Sequence, residues 1–295
     1  MKFKRFGNGS YKSREIEQNY SIQIICKGFS DTRKFVLENS DENYSINRRV
    51  EVVFYWLLNL FIFKPKINIL NTMAFFTQDL LDFFIELASN NNKDWFDENR
   101  KRYEKSVKDP FKAFVTHLIG KLSELNPSFS ELEAKNCIFR INRDIRFSKD
   151  KQPYKLQVSA VISPGGKKDK TGNGVYFEIG PEMLRVYGGI YEIEKEDLFE
   201  LRTGISENLN NFRKLYSDPK FINMYGEVKG AKNKILPKEL KEFGNIEPLI
   251  FNKQFYFFTE FTPETILFDN LDELIIDCYQ VGKPIQDFFN KLIKE

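Results

Sequence analysis

Between Asn136 and Lys155 the chain reads NCIFRINRDIRFSKDKQPYK, and six of these twenty residues are cations: Arg140, Arg143, Arg146, Lys149, Lys151 and Lys155. Only Asp144 and Asp150 oppose them. A guanidinium group is a planar, permanently charged fork that matches the paired oxygens of a phosphate or carboxylate. The charges are interleaved with Cys137, Ile138, Phe139, Ile141, Ile145 and Phe147. β-Branched and aromatic residues at that spacing predict a strand over Asn136–Phe147 rather than a solvated tail. Side chains alternate on a strand, so Arg140, Asn142, Asp144 and Arg146 would share one face, and Ile141, Arg143, Ile145 and Phe147 the other. A bulge near Asp144 would change that register.

The chemistry these residues permit is anion handling. The candidate ligand-binding residues are Arg140, Arg143, Arg146, Lys151, Tyr154 and Lys155, with Lys151 and Lys155 closing over the same anion from across the following turn. Asp144 would orient an arginine or act as a base. Asp144 with Glu178 is a weaker carboxylate pair for acid–base work, dependent on strand order. No metal site and no cofactor are expected. Three readings stay open: a small phosphate- or carboxylate-bearing ligand, a nucleic-acid surface, or a structural network. In the second, Tyr154, Tyr176, Phe147 and Trp95 would stack on bases. In the third, Asp144 and Asp150 neutralise the cations and fix the register of the strand. The loop Pro164–Gly174 adds Lys167, Lys168 and Lys170 but lacks the GxxxxGK[ST] spacing, and it reads as a solvated hairpin loop.

Composition limits the alternatives. A single histidine among 295 residues excludes a multi-histidine metal site or a histidine dyad. Three cysteines, Cys26, Cys137 and Cys278, stand far apart without CxxC spacing, which argues against a disulfide framework and for a reducing cytoplasm. Residues 1–72 hold 12 Lys+Arg against 7 Asp+Glu, whereas the remainder holds 33 against 35. Whole-domain charge therefore gives no case for nucleic acid. The local excess is another matter: from Lys135 to Phe177, ten Lys/Arg face three Asp. Whether the site turns a substrate over, and in what oligomeric state, is left open by the residues alone.

The elements that must hold this stretch begin near Met73. Residues 1–72 have weak periodicity and one apolar run, Val52–Phe63, which as a helix would span about 18 Å, short of a hydrocarbon core of about 30 Å. They read as an upstream extension with Met73 as the natural start, the alternatives being a membrane-associated anchor or a genuine extra segment, and residues 73–295 read as one domain without a membrane span. Thr77 would cap a first helix with Leu80, Leu81, Phe84, Ile85 and Ala88 on one stripe. Asp94 would cap a second, and Pro110 opens a third with Phe111, Phe114, Val115 and Leu118 inward. His117 falls on its polar flank. The period then changes to two: strands are expected at Asn136–Phe147, Tyr154–Ser163, Val175–Ile179, Met183–Tyr187 and Gln254–Phe261. A helix over Lys195–Tyr216, softened at Gly204, and two C-terminal helices divided at Pro284 complete the reading. The class is α+β: helices first, then an antiparallel meander, then helices, in a single domain.

The pattern Arg140-x-x-Arg143-Asp144-x-Arg146-Phe147-x-x-Asp150-Lys151-x-Pro153-Tyr154-Lys155 resembles the signature of the uncharacterised bacterial family DUF2461. Asn91-Asn92-x-x-Trp95-Phe96-x-x-Asn99-Arg100-x-x-Tyr103 and Tyr187-Gly188-Gly189-Ile190-Tyr191 also look like family features. The resemblance covers about Met73 to Lys294. It implies membership and no particular substrate or catalytic residue.

Overall fold

The computed structural model describes residues 74–169 and 173–294, together with the backbone of two short strands, β1 (Lys4–Phe6) and β2 (Ser10–Lys12). These two pair antiparallel, within a first unit spanning Met1–Ile69. The expectations for the rest of residues 1–72, and for Met73 as a start, lie outside the described residues. All that follows concerns the second unit, Leu70–Glu295.

The amphipathic stripe after Thr77 folds as α1 (Gln78–Ser89), which buries Leu80, Leu81, Phe83, Phe84 and Leu87. Asn90 and Asn91 end it. Asn92, rather than Asp94, caps α2 (Lys93–Glu98) by accepting a hydrogen bond from the Trp95 amide at 3.0 Å. A carboxamide acceptor placed before the first turn satisfies an otherwise orphaned N–H. After Asn99, α3 (Arg100–Tyr103) continues through one wide turn at Glu104–Lys108 into α4 (Asp109–Leu125). Pro110 cannot donate to the turn behind it, so the wide turn sits where an ordinary helical bond is already missing. Arg102 ties α3 to α1 by donating to Asp79 at 2.8 Å and to Glu86 at 2.7 Å.

The sheet is an antiparallel meander in the order β3 (Val158–Ile162), β4 (Val175–Ile179), β5 (Leu184–Ile190) and β6 (Phe255–Phe261). Strand alternation divides its faces. Val158, Ala160, Ile162, Phe177, Val186 and Phe257 point into the core and are buried. Phe177 packs against Phe111 and Phe114 of α4, with ring centroids 5.8 and 5.9 Å away. Tyr176, Glu178, Arg185, Tyr187 and Phe258 occupy the other face and are half-buried.

Between β5 and β6 run α6 (Lys195–Glu207), α7 (Leu209–Tyr216), α8 (Pro219–Tyr225) and α9 (Lys241–Ile246), with α5 (Ala134–Cys137) having preceded the sheet. The break expected at Gly204 falls instead at Asn208. Gly204 lies inside α6 because a side chain there would collide with Leu292. The C-terminal segment is one helix, α10 (Leu271–Lys294), running through Pro284 rather than restarting at it. α10 lies under β5, where Gly188 and Gly282 leave room for Phe257 and Gln286 between them. Buried Gln286 accepts a hydrogen bond from the Gly174 amide at 3.0 Å, holding the entry to β4. Among the described residues no helix is long and apolar enough to cross a membrane.

Candidate site on the open face of the sheet

The strand expected over Asn136–Phe147 is not continuous. Cys137 ends α5, and the chain then pairs with itself at two places, Ile138 with Ala160 and Asn142 with Tyr154. The Phe139 amide donates to Ser159 O at 3.0 Å, and the Lys155 amide to Ile141 O at 2.9 Å. Two more residues lie between Lys155 and Ser159 than this ladder needs, so Leu156 and Gln157 bulge out and β3 begins only at Val158. The interruption therefore falls on the return arm, not near Asp144. The signature folds as an irregular hairpin leaning on β3, with residues 144–152 as its tip. The alternation itself persists through Arg146: Arg140, Asn142, Asp144 and Arg146 are exposed, whereas Ile141 is buried and Arg143 and Ile145 are half-buried. Phe147 departs from it and is 94% exposed.

The hairpin tip binds its own charges. Arg146 grips Asp144 with both Nε and Nη2, at 3.0 and 2.7 Å. Arg143 Nη1 donates to Asp150 Oδ2 at 2.6 Å and to Gln152 O at 3.2 Å. Lys151 Nζ donates to Ile145 O at 3.0 Å. The Asp144 carboxyl is held below its usual pKa by the Arg146 side chain and amide, and Asp150 by the Gln152 amide and Arg143. Tyr154 is buried, its ring stacked on Phe96 with centroids 4.1 Å apart. Trp95 packs partly buried against the core. In the loop after β3, Lys167 Nζ donates to Lys135 O and Ile138 O, closing the carboxyl end of α5.

Arg140 and Lys155, like exposed Lys149 of the tip, differ from Arg143, Arg146 and Lys151. Neither makes a hydrogen bond through its charged group, or an ion pair, with a described residue. Lys155 is half-buried, its ammonium 5.6 Å from the Phe139 ring centroid. Burial, then the charge of Arg140, lower its pKa against an opposing pull from Glu178. Arg140 also acts on Asp144. Lys155 thus stands at the β3 edge of the sheet's open face, with exposed Arg140 in electrostatic reach of it.

On that face the strand register aligns two rows. Glu178 lies opposite Ser159 and Arg185, and Arg185 opposite Glu260; Tyr176 lies opposite Tyr187, and Tyr187 opposite Phe258. The Glu178 side chain is only 13% exposed and accepts from Tyr176 Oη at 3.0 Å, Arg185 Nη1 at 3.1 Å and Tyr187 Oη at 3.3 Å. Arg185 also donates from Nε to Glu260 at 2.6 Å. Burial, followed by the Glu178 charge, pushes the Tyr187 phenol up to about 12, and burial pushes Tyr176 up as well. Asp144 and Glu178 keep separate partners, and no group of three metal-ligating residues occurs among the described residues. Sequence reading missed Arg185, Tyr187 and Phe258, although strict alternation in LRVYGG and QFYFFTEF marked them as facing away from the core. Two clefts, of about 510 and 630 Å³, lie on helices α4 and α7–α8–α10, and no signature residue lines either.

An antiparallel four-stranded sheet backed by helices on its core face, with a polar and aromatic open face, defines an α+β protein. The chain belongs to the DUF2461 family of conserved hypothetical proteins, which matches residues 79–288. No curated protein and no solved structure matches it.

Proposed function

We propose that the open face of the sheet binds a ligand through a phosphate or carboxylate held by Arg140 and Lys155. One observation carries this reading: Lys155 is half-buried beside the Phe139 ring within reach of the Arg140 charge, yet neither cation has an ion-pair partner among the described residues. Like charges brought together repel, and a half-buried ammonium is disfavoured, so an anion between them would relieve both penalties. Arg143, Arg146 and Lys151 already have partners in the hairpin tip, which fits a supporting role: they shape the rim. Glu178, hydrogen-bonded by two tyrosines and an arginine beside Lys155, is the group best placed to position a ligand donor or accept a proton. A cytoplasmic setting belongs to the same reading, since Cys137 and Cys278 are buried thiols.

Thermal-shift and calorimetric titration with inorganic phosphate, sugar phosphates and dicarboxylates test it, because a ligand specific for the folded state raises the melting temperature. Arg140→Ala and Lys155→Met should each weaken the effective ligand at least tenfold, and Arg143→Ala by less. If no anion shifts the melting temperature, or Arg140→Ala leaves the shift intact, the reading fails.

A further inference from the structure

The open face carries a continuous file of rings, of which Tyr176 and Tyr187 also hold Glu178 through their hydroxyls. Phe139 meets Tyr176 edge-on at 5.9 Å, Tyr176 meets Tyr187 at 5.3 Å, and Tyr187 lies nearly parallel to Phe258 at 5.1 Å. Phe258 is followed by Tyr256 at 6.5 Å, and Tyr256 by Tyr191 at 5.3 Å. Tyr191 is 63% exposed, and the others are half-buried. The edges of the sheet bring cations over both ends. On the β3 side the signature hairpin supplies Arg140 and Lys155. On the β6 side Lys229, paired in an isolated bridge with Tyr256, sets its ammonium 5.1 Å from the Phe258 centroid and 3.3 Å from the exposed Glu227 carboxylate, a surface pair that a phosphate would compete with.

Resting on the anion site proposed above, we infer that the ligand is a single-stranded nucleic acid laid across the sheet, its bases on the ring file and its phosphates on the edge cations. Neighbouring strands lie about 4.8 Å apart, so four strands separate the two cationic edges by roughly 15 Å. A single small phosphate compound engages one edge. A polymer that repeats phosphate and planar base engages both. Arg185 pairs with both Glu178 and Glu260 and offsets one of their two charges, which reduces the repulsion that the carboxylates in the middle of the path would exert. A four-stranded antiparallel sheet with aromatics on its open face is also a surface on which unpaired bases are known to stack. The domain's mild negative charge gives little long-range attraction, so stacking must carry most of the affinity and few phosphates are neutralised. With two or three contacts, log K should fall with log salt at a slope of about −2.

The test uses the full chain and fluorescently labelled single strands of about 12 nucleotides, within the usual span of such surfaces, followed by anisotropy. Duplex of the same sequence and inorganic polyphosphate are the comparisons. Single strands should bind at least tenfold tighter than either. Phe258→Leu, which removes the ring but keeps apolar bulk, should weaken the single strand at least fivefold while the phosphate-induced thermal shift persists. Exposed Tyr191→Ala provides a second variant if Phe258→Leu does not fold. If phosphate binds but single strands bind no tighter than polyphosphate, or both ring variants bind unchanged, this inference is overturned and the anion site survives. If neither phosphate nor oligonucleotide binds, both fall.

Discussion

The side-chain amide of Asn91 closes both backbone polar groups of Tyr154, donating from Nδ2 to Tyr154 O at 3.0 Å and accepting from the Tyr154 amide at 3.1 Å. One carboxamide thus substitutes for a neighbouring strand, 63 residues away in sequence, at the point where the signature hairpin returns to the sheet. Removing it leaves a part-buried N–H and C=O without partners, which costs about 1–3 kcal/mol. Asn91→Ala should lower stability by that amount in urea unfolding, and Asn91→Asp, which keeps only the acceptor, by a comparable or larger amount. Amide hydrogen exchange at Tyr154 should accelerate in both.

The tip acids restrain the tip arginines. Asp150→Asn removes the charge that holds Arg143, and Asp144→Asn the charge that holds Arg146. Each substitution should therefore strengthen anion binding at the hairpin several-fold, as measured by calorimetry. Unchanged or weaker binding would mean that the tip arginines do not reach the ligand. Both acids have depressed pKa values in the fold, so their pairings persist above the unfolded carboxylate range near 3.9 and are lost as pH falls through the lower folded values. Carboxyl NMR titration should place both midpoints below that of a model aspartate.

Lys155 titrates below an ordinary lysine because burial and Arg140 both disfavour its charge. Anion affinity requires the charged form. It should therefore decline at lower pH than a lysine of pKa about 10.4 would allow. Lys155→Arg should flatten that profile. A profile identical in wild type and Lys155→Arg would remove Lys155 from the site.

Tyr187 provides an alkaline test of the fold. Its phenol titrates at about 12 in the folded chain against about 10 unfolded. The folded state holds that proton more tightly, so the contribution is complete below pH 10 and disappears as pH rises towards 12. Absorbance at 295 nm should show delayed ionisation, with stability falling over the same window. Tyr187→Phe should reduce the slope of that fall.

Gly189 adopts φ +87, where a side chain is strained, and a methyl at Gly188 would meet the Phe257 ring and Gln286 of α10. Gly188→Ala and Gly189→Ala should each lower the melting temperature by several degrees, with Gly188→Ala also loosening the Gln286–Gly174 contact seen by hydrogen exchange. A melting temperature within a degree of wild type for both would contradict the packing described.

What the sequence disclosed and what it concealed follow from the range of the interactions. Val175–Ile179 could be read to the residue, because its alternation is set by burial on one face alone. The stripe of α1 was visible only in part: Leu80, Leu81 and Phe84 are buried as expected, but Ile85 and Ala88 are exposed and Phe83 and Leu87 face the core instead. The signature was harder: its alternation survives in exposure, but its hydrogen bonds go to partners whose spacing changes at Leu156–Gln157, and periodicity carries no trace of a partner's bulge. The cap at Asn92 was hidden by the equally suitable Asp94 two residues later. Pro284 looked like a boundary because a missing N–H normally ends a helix, whereas packing of α10 against β5 and α6 outweighs one lost bond. The alignment of Glu178 with Arg185 and Glu260 depends on strand order, which only three-dimensional pairing supplies.

α10 lies across β5 and also meets α4, α6, α7 and α8. A nascent chain that stops before Leu271 keeps α4 over Phe177 but leaves Gly188 and Phe257 without the helix that covers them. Such truncated chains are therefore expected to be held by chaperones or degraded.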